Sequence, residues 1–372
     1  MSRRASLLIV ILFSWSAAAN LSAQSPAKPG SASPSPASSG APQAAPTPTT
    51  KSLVDSMDSA DLKEAIQLLK NNYINPEALN ETELNRATFE GILTRMGRGV
   101  VLLADSAPAS TESAAPFFGE ILESHVGYLR LGALIRPNLE ALDTNLKTFA
   151  VQKVDALVID LRASPATNDF ATASEFAKRF CPKGKPLFSL RKAAAKQERT
   201  FTSDRDPSYQ GMMIILADGD TAGPAEAIAG VIHLYDRALV IGQPTAGRAV
   251  EYSDLKLSTG KILRVAVGEA VLPEDRPLFP GGIKPDVPVE MPAVDKREVF
   301  QQSREKGMTP FVVENERPHL NEAALISGKN PELEAMEAAQ RRGRGPEKTT
   351  VRDPVLQRAL DLVTTIAIFQ KR

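Results

Sequence analysis

The sequence predicts an α/β protein in which strands and helices alternate along one main domain. Two apolar runs, ALVIDLR (156–162) and MMIILA (212–217), have the continuous pattern typical of parallel strands that are buried on both faces. Helical patterns alternate with these and further apolar runs, and such alternation predicts α/β layering. The chain has 372 residues, of which 42% are hydrophobic, enough for one large domain or two ordinary ones.

The composition argues against several classes of partner. Lys plus Arg and Asp plus Glu number 44 each, so no net field favours nucleic acid or an anionic membrane. Cys181 is the single cysteine, which rules out an intramolecular disulfide and a cysteine-based zinc cluster. Three widely separated histidines form no metal motif, and no glycine-rich loop has phosphate-binding spacing. We therefore expect neither a metal nor a cofactor.

The N-terminus predicts export. Arg3 and Arg4 precede an apolar stretch (7–13), and small residues follow, which is the order of a secretory signal peptide over residues 1–23. Cleavage is expected after Ala19 or Ala23 and would place the protein in the periplasm or cell envelope. An uncleaved anchor is the alternative, and it would be the chain's only link to a membrane. Residues 24–52 are rich in Pro, Ala and Ser and predict a flexible tether.

A small helical section is predicted over residues 53–115. Asp58 or Ser59 can cap a helix that runs through Tyr73, with Leu62, Ile66 and Leu69 on one face. Asn80 can cap a second helix, ETELNRATFEGILTRM. The connection SAPASTESAAP ends this section.

The core domain is predicted over residues 116–292. Its expected strands and helices, in order, are strand 126–132, helix 138–152, strand 156–162, helix 171–180, strands near PLFSLR and ERTFTS, strand 212–217, the helix that DGDTAGPAEAIAG opens, strand 237–242, and a hairpin turning at 258–260. Residues 293–372 form a C-terminal extension that ends in a helix, with Asp353 as N-cap and Pro354 at its first position. The basic stretch AAQRRGRGPEKTTVR before it is taken as a solvated linker.

Four segments in order resemble the C-terminal-processing, or tail-specific, serine peptidases. They are VGYLRLG with ALVIDLRASPATND, IILADGDTAGPAEAIAG, RALVIGQPTAGRAVEY and PLFPGGIKPDVPVE, and with the two early helices the resemblance covers about residues 55–292. It implies a crotonase/ClpP-like core of repeated strand–strand–helix units. It also implies a serine nucleophile, a neutral lysine as its base, and backbone N–H groups that hold the oxyanion.

The two reactive positions of the family are altered in this chain. Glu226 aligns with the glutamate that ends the family's nucleophile turn, and counting back three residues places Gly223 where the serine belongs. Arg248 falls at the position of the base lysine. Glycine has no nucleophilic side chain, and a guanidinium stays protonated in proteins. The resemblance therefore implies a degenerate active site with no catalytic residue.

Two further family features also differ. Tyr252 stands where the family often has a glutamine that orients the lysine, and Ala166 and Thr167 replace the two glycines of a Pro-Gly-Gly loop. Only about thirty residues separate Met96 from Val126, well short of the length a domain normally needs. We therefore expect the chain to lack the PDZ module that many relatives carry there.

Several residues near these positions allow more than one interpretation. Thr221 can cap the helix that Pro224 begins, with Asp220 competing for that role, or it can be a relocated nucleophile. Arg248 can hold a peptide carboxylate, or it can pair with Glu226 or Glu251 inside the fold.

Other charged residues are expected to be structural. Asp160 and Arg162 are expected to form an ion pair at the end of their strand. His233 is expected to lie near a helix C-terminus, and His125 and His319 have no recognisable acid–nucleophile partner.

The sequence thus predicts an exported pseudopeptidase that binds a polypeptide or a partner protein. The expected binding surface is a groove beside strand 212–217 and the turn at 220–224. One alternative is an active serine-type peptidase that uses Thr221. The other is an envelope scaffold that self-associates through its helical ends.

Overall fold

The structure is a computed structural model of the chain. It describes residues 49–104, 115–123, 125–312 and 351–370. The predicted signal peptide, almost all of the tether, His319 and most of the basic stretch before Arg352 lie outside the described residues. The chain divides into two compact units, residues 1–79 and 80–372. Among the described helices, none combines the length and the apolar character that crossing a membrane requires.

The first unit contains two helices, α1 (Thr50–Asp55) and α2 (Ser59–Asn72), and a 3₁₀ turn. Asp58 is the N-cap of α2, since its Oδ1 accepts the N–H groups of Ala60 at 2.7 Å and Asp61 at 2.9 Å. The predicted helix and its apolar face are confirmed. That face is open to solvent, because Leu62, Ile66 and Leu69 are 39%, 44% and 53% exposed.

The second unit begins with α3 (Glu81–Met96), which Asn80 caps as predicted by accepting the N–H of Glu83 at 3.0 Å. Two sheets follow. The main sheet comprises β2 (Phe118–Leu122), β3 (Val126–Arg130), β4 (Ala156–Asp160), β7 (Met212–Ala217), β8 (Ala238–Gly242) and β12 (Val287–Pro288). Its order is β12-β8-β7-β4-β3-β2, and β2 alone among these strands runs antiparallel to its neighbour.

The side sheet is antiparallel and is built around one long strand, β10. Its strands are β1 (Val100–Leu103), β5 (Pro186–Lys192), β6 (Gln197–Thr202), β9 (Val250–Lys256), β10 (Ile262–Leu272) and β11 (Arg276–Pro277). Strands β9 and β10 form the predicted hairpin, which turns through Gly260 at a φ of +85°. Residues 100–103, which lie within the expected helical section, therefore belong to this sheet, since β1 pairs with β10.

Helices cover both faces of the main sheet. They are α4 (Arg136–Gln152), α5 (Phe170–Ala177), α6 (Pro224–Leu234), α7 (Ala293–Lys306) and α8 (Pro354–Gln370). Because side chains alternate along a strand, Leu157 and Ile159 of β4 pack with α4, α5 and α6, whereas Val158 packs with α7 and α8. The prediction that the continuous apolar runs are strands buried on both faces is therefore confirmed. The predicted α/β class is confirmed as well.

Candidate functional site

The turn after β7 has the backbone of a nucleophile turn. It leads from Ala217 to Gly223, and α6 begins at Pro224 as predicted. Gly223 is the N-cap and has a φ of 61° and a ψ of −128°. Strand-to-helix turns of hydrolases hold their nucleophile in such a strained conformation, which residues with a side chain rarely adopt. The turn therefore has the backbone geometry of a nucleophile turn, with glycine at its last position.

The loop at Ala166 and Thr167 lies directly over this glycine. A Cβ on Gly223 would lie 3.3 Å from the carbonyl oxygen of Thr167 and 3.8 Å from Cα of Ala166. The expected groove beside strand 212–217 and the turn stays a prediction. Strand β7 lies between β4 and β8 with both faces covered, and the turn is buried from Thr221 onward.

Pro224 removes a second element of acyl-transfer chemistry. In nucleophile turns, the N–H of the residue after the nucleophile helps to hold the oxyanion. Here that residue is proline, which has no N–H. The helix-start pattern predicts only that Pro224 begins α6, although the missing N–H next to Gly223 can be read from the sequence alone.

Glu226 is the hydrogen-bonding centre of the site. Its carboxylate is fully buried and accepts the Thr245 hydroxyl at 2.6 Å. It also accepts three backbone N–H groups, from Gly223 at 3.1 Å, Gly247 at 2.6 Å and Arg248 at 2.8 Å. Burial raises the pKa of Glu226, and the four donors oppose that rise. One carboxylate thus joins the turn at Gly223 to the loop that carries Gly247 and Arg248.

Thr221 is a buried turn residue. It is 0% exposed, its hydroxyl accepts the N–H of Asp218 at 3.1 Å, and the same hydroxyl lies 3.4 Å from the carbonyl oxygen of Leu161. The expectation that Thr221 or Asp220 caps α6 is wrong. Gly223 is the N-cap, and its N–H is satisfied by Glu226 instead of by a side chain preceding the helix.

Arg248 has no carboxylate partner among the described residues. Its side chain is half-buried, and no hydrogen bond or ion pair of its guanidinium is formed within the described part of the chain. The expected pairing inside the fold is wrong, because Glu226 contacts the backbone of Arg248 and Glu251 pairs with Lys192 at 2.8 Å. A half-buried cation therefore stands at the position that the resemblance assigns to the family's base lysine.

Tyr252 connects the base loop to two distant segments. Its hydroxyl donates to the carbonyl oxygen of Arg98 at 2.8 Å, and the guanidinium of Arg98 donates to the carbonyl oxygen of Ala246. Burial raises the pKa of Tyr252, although the positive charge of Arg248 lowers it. The backbone of Tyr252 also bonds to the side chain of Asn168. No local pattern in the sequence predicts the contacts of Arg98 or Asn168, because both depend on tertiary proximity.

Lys296 of α7 holds the start of the turn and was also missed. Its Nζ lies 2.6 Å from Asp218 Oδ2 and 2.5 Å from Asp220 Oδ2. Burial by itself lowers the pKa of Lys296, but the charges and hydrogen bonds of Asp218 and Asp220 raise it above its ordinary value. The amine therefore stays protonated at neutral pH and is not a proton acceptor.

The predicted ion pair at the end of β4 is confirmed and extends further. Arg162 lies 2.6 Å from Asp160 and 2.7 Å from Asp353, and all three side chains are buried. Asp353 caps α8 as predicted, since it accepts the N–H groups of Val355 and Leu356. The pair thus anchors the C-terminal helix to the main sheet.

The histidines and acidic residues form no other site in the described chain. His233, at the end of α6 as predicted, lies 3.1 Å from Asp286. His125 contacts the carbonyl oxygen of Glu123. Within the residues that the structure describes, no three His, Cys, Asp or Glu side chains come together as metal ligands would.

Comparisons with known proteins identify the class of enzyme to which this core is similar. Residues 125–289 match the profile of peptidase family S41. The chain is 24% identical over 174 residues to a carboxyl-terminal-processing protease of Synechocystis sp., a match that covers 47% of this chain and 40% of the relative. It is 28% identical over 188 residues to the chloroplastic carboxyl-terminal-processing peptidase 1 of Arabidopsis thaliana, covering 48% and 37%. The chain thus spans about two fifths of the length of these relatives.

Solved structures give more distant matches. The photosystem II D1 C-terminal processing protease matches with a TM-score of 0.40 and 21% identity, covering 51% of this chain and 47% of its own. A putative peptidase from Parabacteroides merdae matches with a TM-score of 0.46 and 14% identity, covering 65% and 85%.

Proposed function

We propose that this chain, whose residues 125–289 match the profile of peptidase family S41, is an exported member of that family that binds polypeptide without cleaving it. The observation that carries the proposal is Gly223. It stands on the turn where the family's nucleophile belongs, in the backbone conformation of that turn, and has no reactive side chain.

The surrounding chemistry supports the same conclusion. Pro224 has no N–H for an oxyanion, and Arg248 does not accept a proton at neutral pH. Glu226, by contrast, holds the turn and the base loop together through four hydrogen bonds. The framework of the site is therefore present while its nucleophile, base and one oxyanion donor are missing, which is the pattern expected of a pseudopeptidase.

Export remains part of the proposal. It rests on the order of Arg3, Arg4, the apolar stretch and the small residues that follow it, and the chloroplastic name of one relative is compatible with it. Determining the N-terminal residue of the mature protein tests it. A new terminus at Asn20 or Gln24 is expected, and an intact Met1 after fractionation of the cell envelope would contradict cleavage.

Reaction with a fluorophosphonate and incubation with unstructured peptides test the absence of catalysis. We expect no covalent label and no cleavage, together with saturable peptide binding measured by fluorescence anisotropy. Labelling plus turnover in the wild-type protein would contradict the proposal. The Thr221→Val variant then identifies the source, because a relocated threonine nucleophile loses all activity when its hydroxyl becomes a methyl group.

Thr221 is a poor nucleophile in this structure. It is 0% exposed, its hydroxyl is already hydrogen-bonded, and the nearby amine of Lys296 is protonated. An active peptidase that uses Thr221 would have to expose this turn and deprotonate a lysine held by two carboxylates. The geometry therefore favours a polypeptide binder over this alternative.

A self-associating scaffold is supported by one separate observation. The apolar stripe of α2 is exposed at Leu62, Ile66 and Leu69, and such stripes commonly mark interaction surfaces. The molar mass from light scattering tests this function. A fall to monomer mass in a variant with glutamate at these three positions supports a scaffold, whereas an unchanged mass contradicts self-association through α2.

A further inference from the structure

Strand β9 has one edge paired and one edge open. Its inner edge pairs antiparallel with β10 from Val250 to Lys256. Just beyond the strand, the N–H of Leu257 donates inward to the carbonyl oxygen of Lys261. Backbone groups alternate in direction along an antiparallel strand, so the N–H and C=O groups of Tyr252, Asp254 and Lys256 point to the outer edge.

A side-chain amide already occupies one position of this outer edge. Asn168 Oδ1 accepts the N–H of Tyr252 at 3.1 Å, and Asn168 Nδ2 donates to the carbonyl oxygen of Tyr252 at 2.9 Å. A neighbouring antiparallel strand would supply the same pair, one acceptor and one donor to a single residue. The Asn168 amide thus takes the place of one peptide group of an added strand.

The next two positions along the edge are open. Asp254 and Lys256 are exposed, and within the described chain β9 pairs with β10 alone. Strand β9 begins two residues after Arg248. A peptide that pairs along this edge therefore extends toward Arg248. A cavity of about 540 Å³ borders the same region, with Asn168, Phe170, Lys192, Arg199, Phe201 and Glu251 among the residues that line it.

We propose that the outer edge of β9 binds an extended polypeptide as an additional strand of the side sheet. The peptide pairs with Asp254 and Lys256 and displaces the amide of Asn168 from Tyr252. Main-chain hydrogen bonds supply the affinity, as in other sheet-edge complexes, so the ligand is an unstructured segment and no particular side chain is required. This inference rests on the proposed polypeptide-binding function and identifies its surface.

The first test uses a fluorescein-labelled ten-residue peptide of alternating valine and threonine. Two further versions carry N-methyl groups either on alternate residues, which leaves the N–H donors of one edge, or on every residue, which leaves no N–H donor. Anisotropy titrations should show the alternately methylated peptide binding like the parent and the fully methylated peptide binding at least tenfold more weakly. Equal binding of all three peptides would overturn the proposal, because sheet pairing requires the donors of one edge.

The second test changes the edge itself. Asp254→Pro removes an outward N–H, which an edge strand tolerates, and Asp254→Ala is the matched control because it loses the same ion pair with Arg264 but keeps the N–H. The proline variant should bind the parent peptide at least tenfold more weakly than the alanine variant. Lys256→Pro provides a second outward position in case the first variant does not fold by circular dichroism.

Asn168→Ala removes the competing amide and should tighten peptide binding severalfold. If the peptide binds but neither proline variant weakens it, the proposed function stands and this surface is wrong. If no peptide binds to the wild-type protein or to Asn168→Ala, the proposed function fails as well. The Asn168→Ala variant could instead form a dimer in sedimentation that the added Asp254→Pro substitution abolishes. That result would show that a second copy of the chain pairs with this edge, and it would overturn the proposal of a peptide ligand.

Discussion

The ammonium group of Lys296 lies 2.6 Å from a carboxylate oxygen of Asp218, the first residue of the turn after β7. Both side chains are largely buried, and they are 78 residues apart in sequence. The contact ties helix α7, which follows the family-matched region, to the turn that leads to Gly223. The C-terminal helices are therefore part of the site's support.

Lys296→Met should lower the free energy of unfolding by about 3 kcal/mol, because it leaves the buried carboxylate of Asp218 without a counter-ion. Urea denaturation measures the change. Lys306→Met is the control on the same helix, since Lys306 is exposed, and it should change stability by less than about 0.5 kcal/mol. Equal stability of the two variants would mean that the Asp218 contact contributes little.

The same ion pair predicts a pH dependence. The pKa of Lys296 is raised above its ordinary value of 10.5 by Asp218 and Asp220, against the effect of burial. The stability that Lys296 contributes is therefore fully present below pH 10.5 and is lost as pH rises through the raised value. The difference between wild type and Lys296→Met in urea unfolding should be constant from pH 7 to pH 9 and shrink at higher pH. A difference that grows with alkaline pH would contradict this assignment.

Glu226→Gln should lower the free energy of unfolding by about 2 kcal/mol. A glutamine amide turns its NH₂ group toward at least one of the backbone N–H donors of Gly223, Gly247 and Arg248, and a buried donor without an acceptor costs about 1–3 kcal/mol. Chemical denaturation measures the loss. Glu251→Gln is the control, because its partly exposed pair with Lys192 contributes less than about 1 kcal/mol.

Cys181 should resist thiol reagents in the native state. The side chain is fully buried, and burial raises its pKa from 9.0 to about 12. A colorimetric disulfide reagent at pH 8 should react only at the rate of unfolding and react at once in 6 M guanidinium. Rapid reaction without denaturant would show that the segment around Cys181 opens readily.

Restoring serine and lysine should not by itself restore efficient chemistry. The Gly223→Ser/Arg248→Lys variant still has Pro224, which offers no N–H to an oxyanion. Adding Pro224→Ala should raise the rate of fluorophosphonate labelling about 100-fold, the usual effect of one oxyanion donor. Equal labelling rates for the double and triple variants would show that the missing N–H of Pro224 does not limit the reaction.

The sequence predicted the framework well where the pattern is local. Continuous apolar runs located β4 and β7, and Asp58, Asn80 and Asp353 cap helices as predicted because a cap acts within three residues. Helix α7 and strand β2 were missed. Helix α7 is highly charged and buries only a few residues, among them Lys296, and β2 is five residues long.

The site was predicted in part. Counting back from Glu226 located Gly223, and the structure joins the two by a hydrogen bond at the start of α6. The expected partners of Arg248 were wrong because Glu226 is satisfied by backbone N–H groups and Glu251 by Lys192. The contacts of Lys296, Arg98 and Asn168 span about 78 to 148 residues of sequence, and no local pattern encodes such pairings.

The positive φ of Gly223 has a consequence for the history of this fold. A side chain in that conformation costs about 1–3 kcal/mol, and an active hydrolase must tolerate that penalty continuously. Glycine adopts this conformation without that penalty, so the proposed loss of cleavage would leave the fold with a margin of stability. Substitutions elsewhere that would unfold a working peptidase then become survivable, which frees the rest of the surface to diverge.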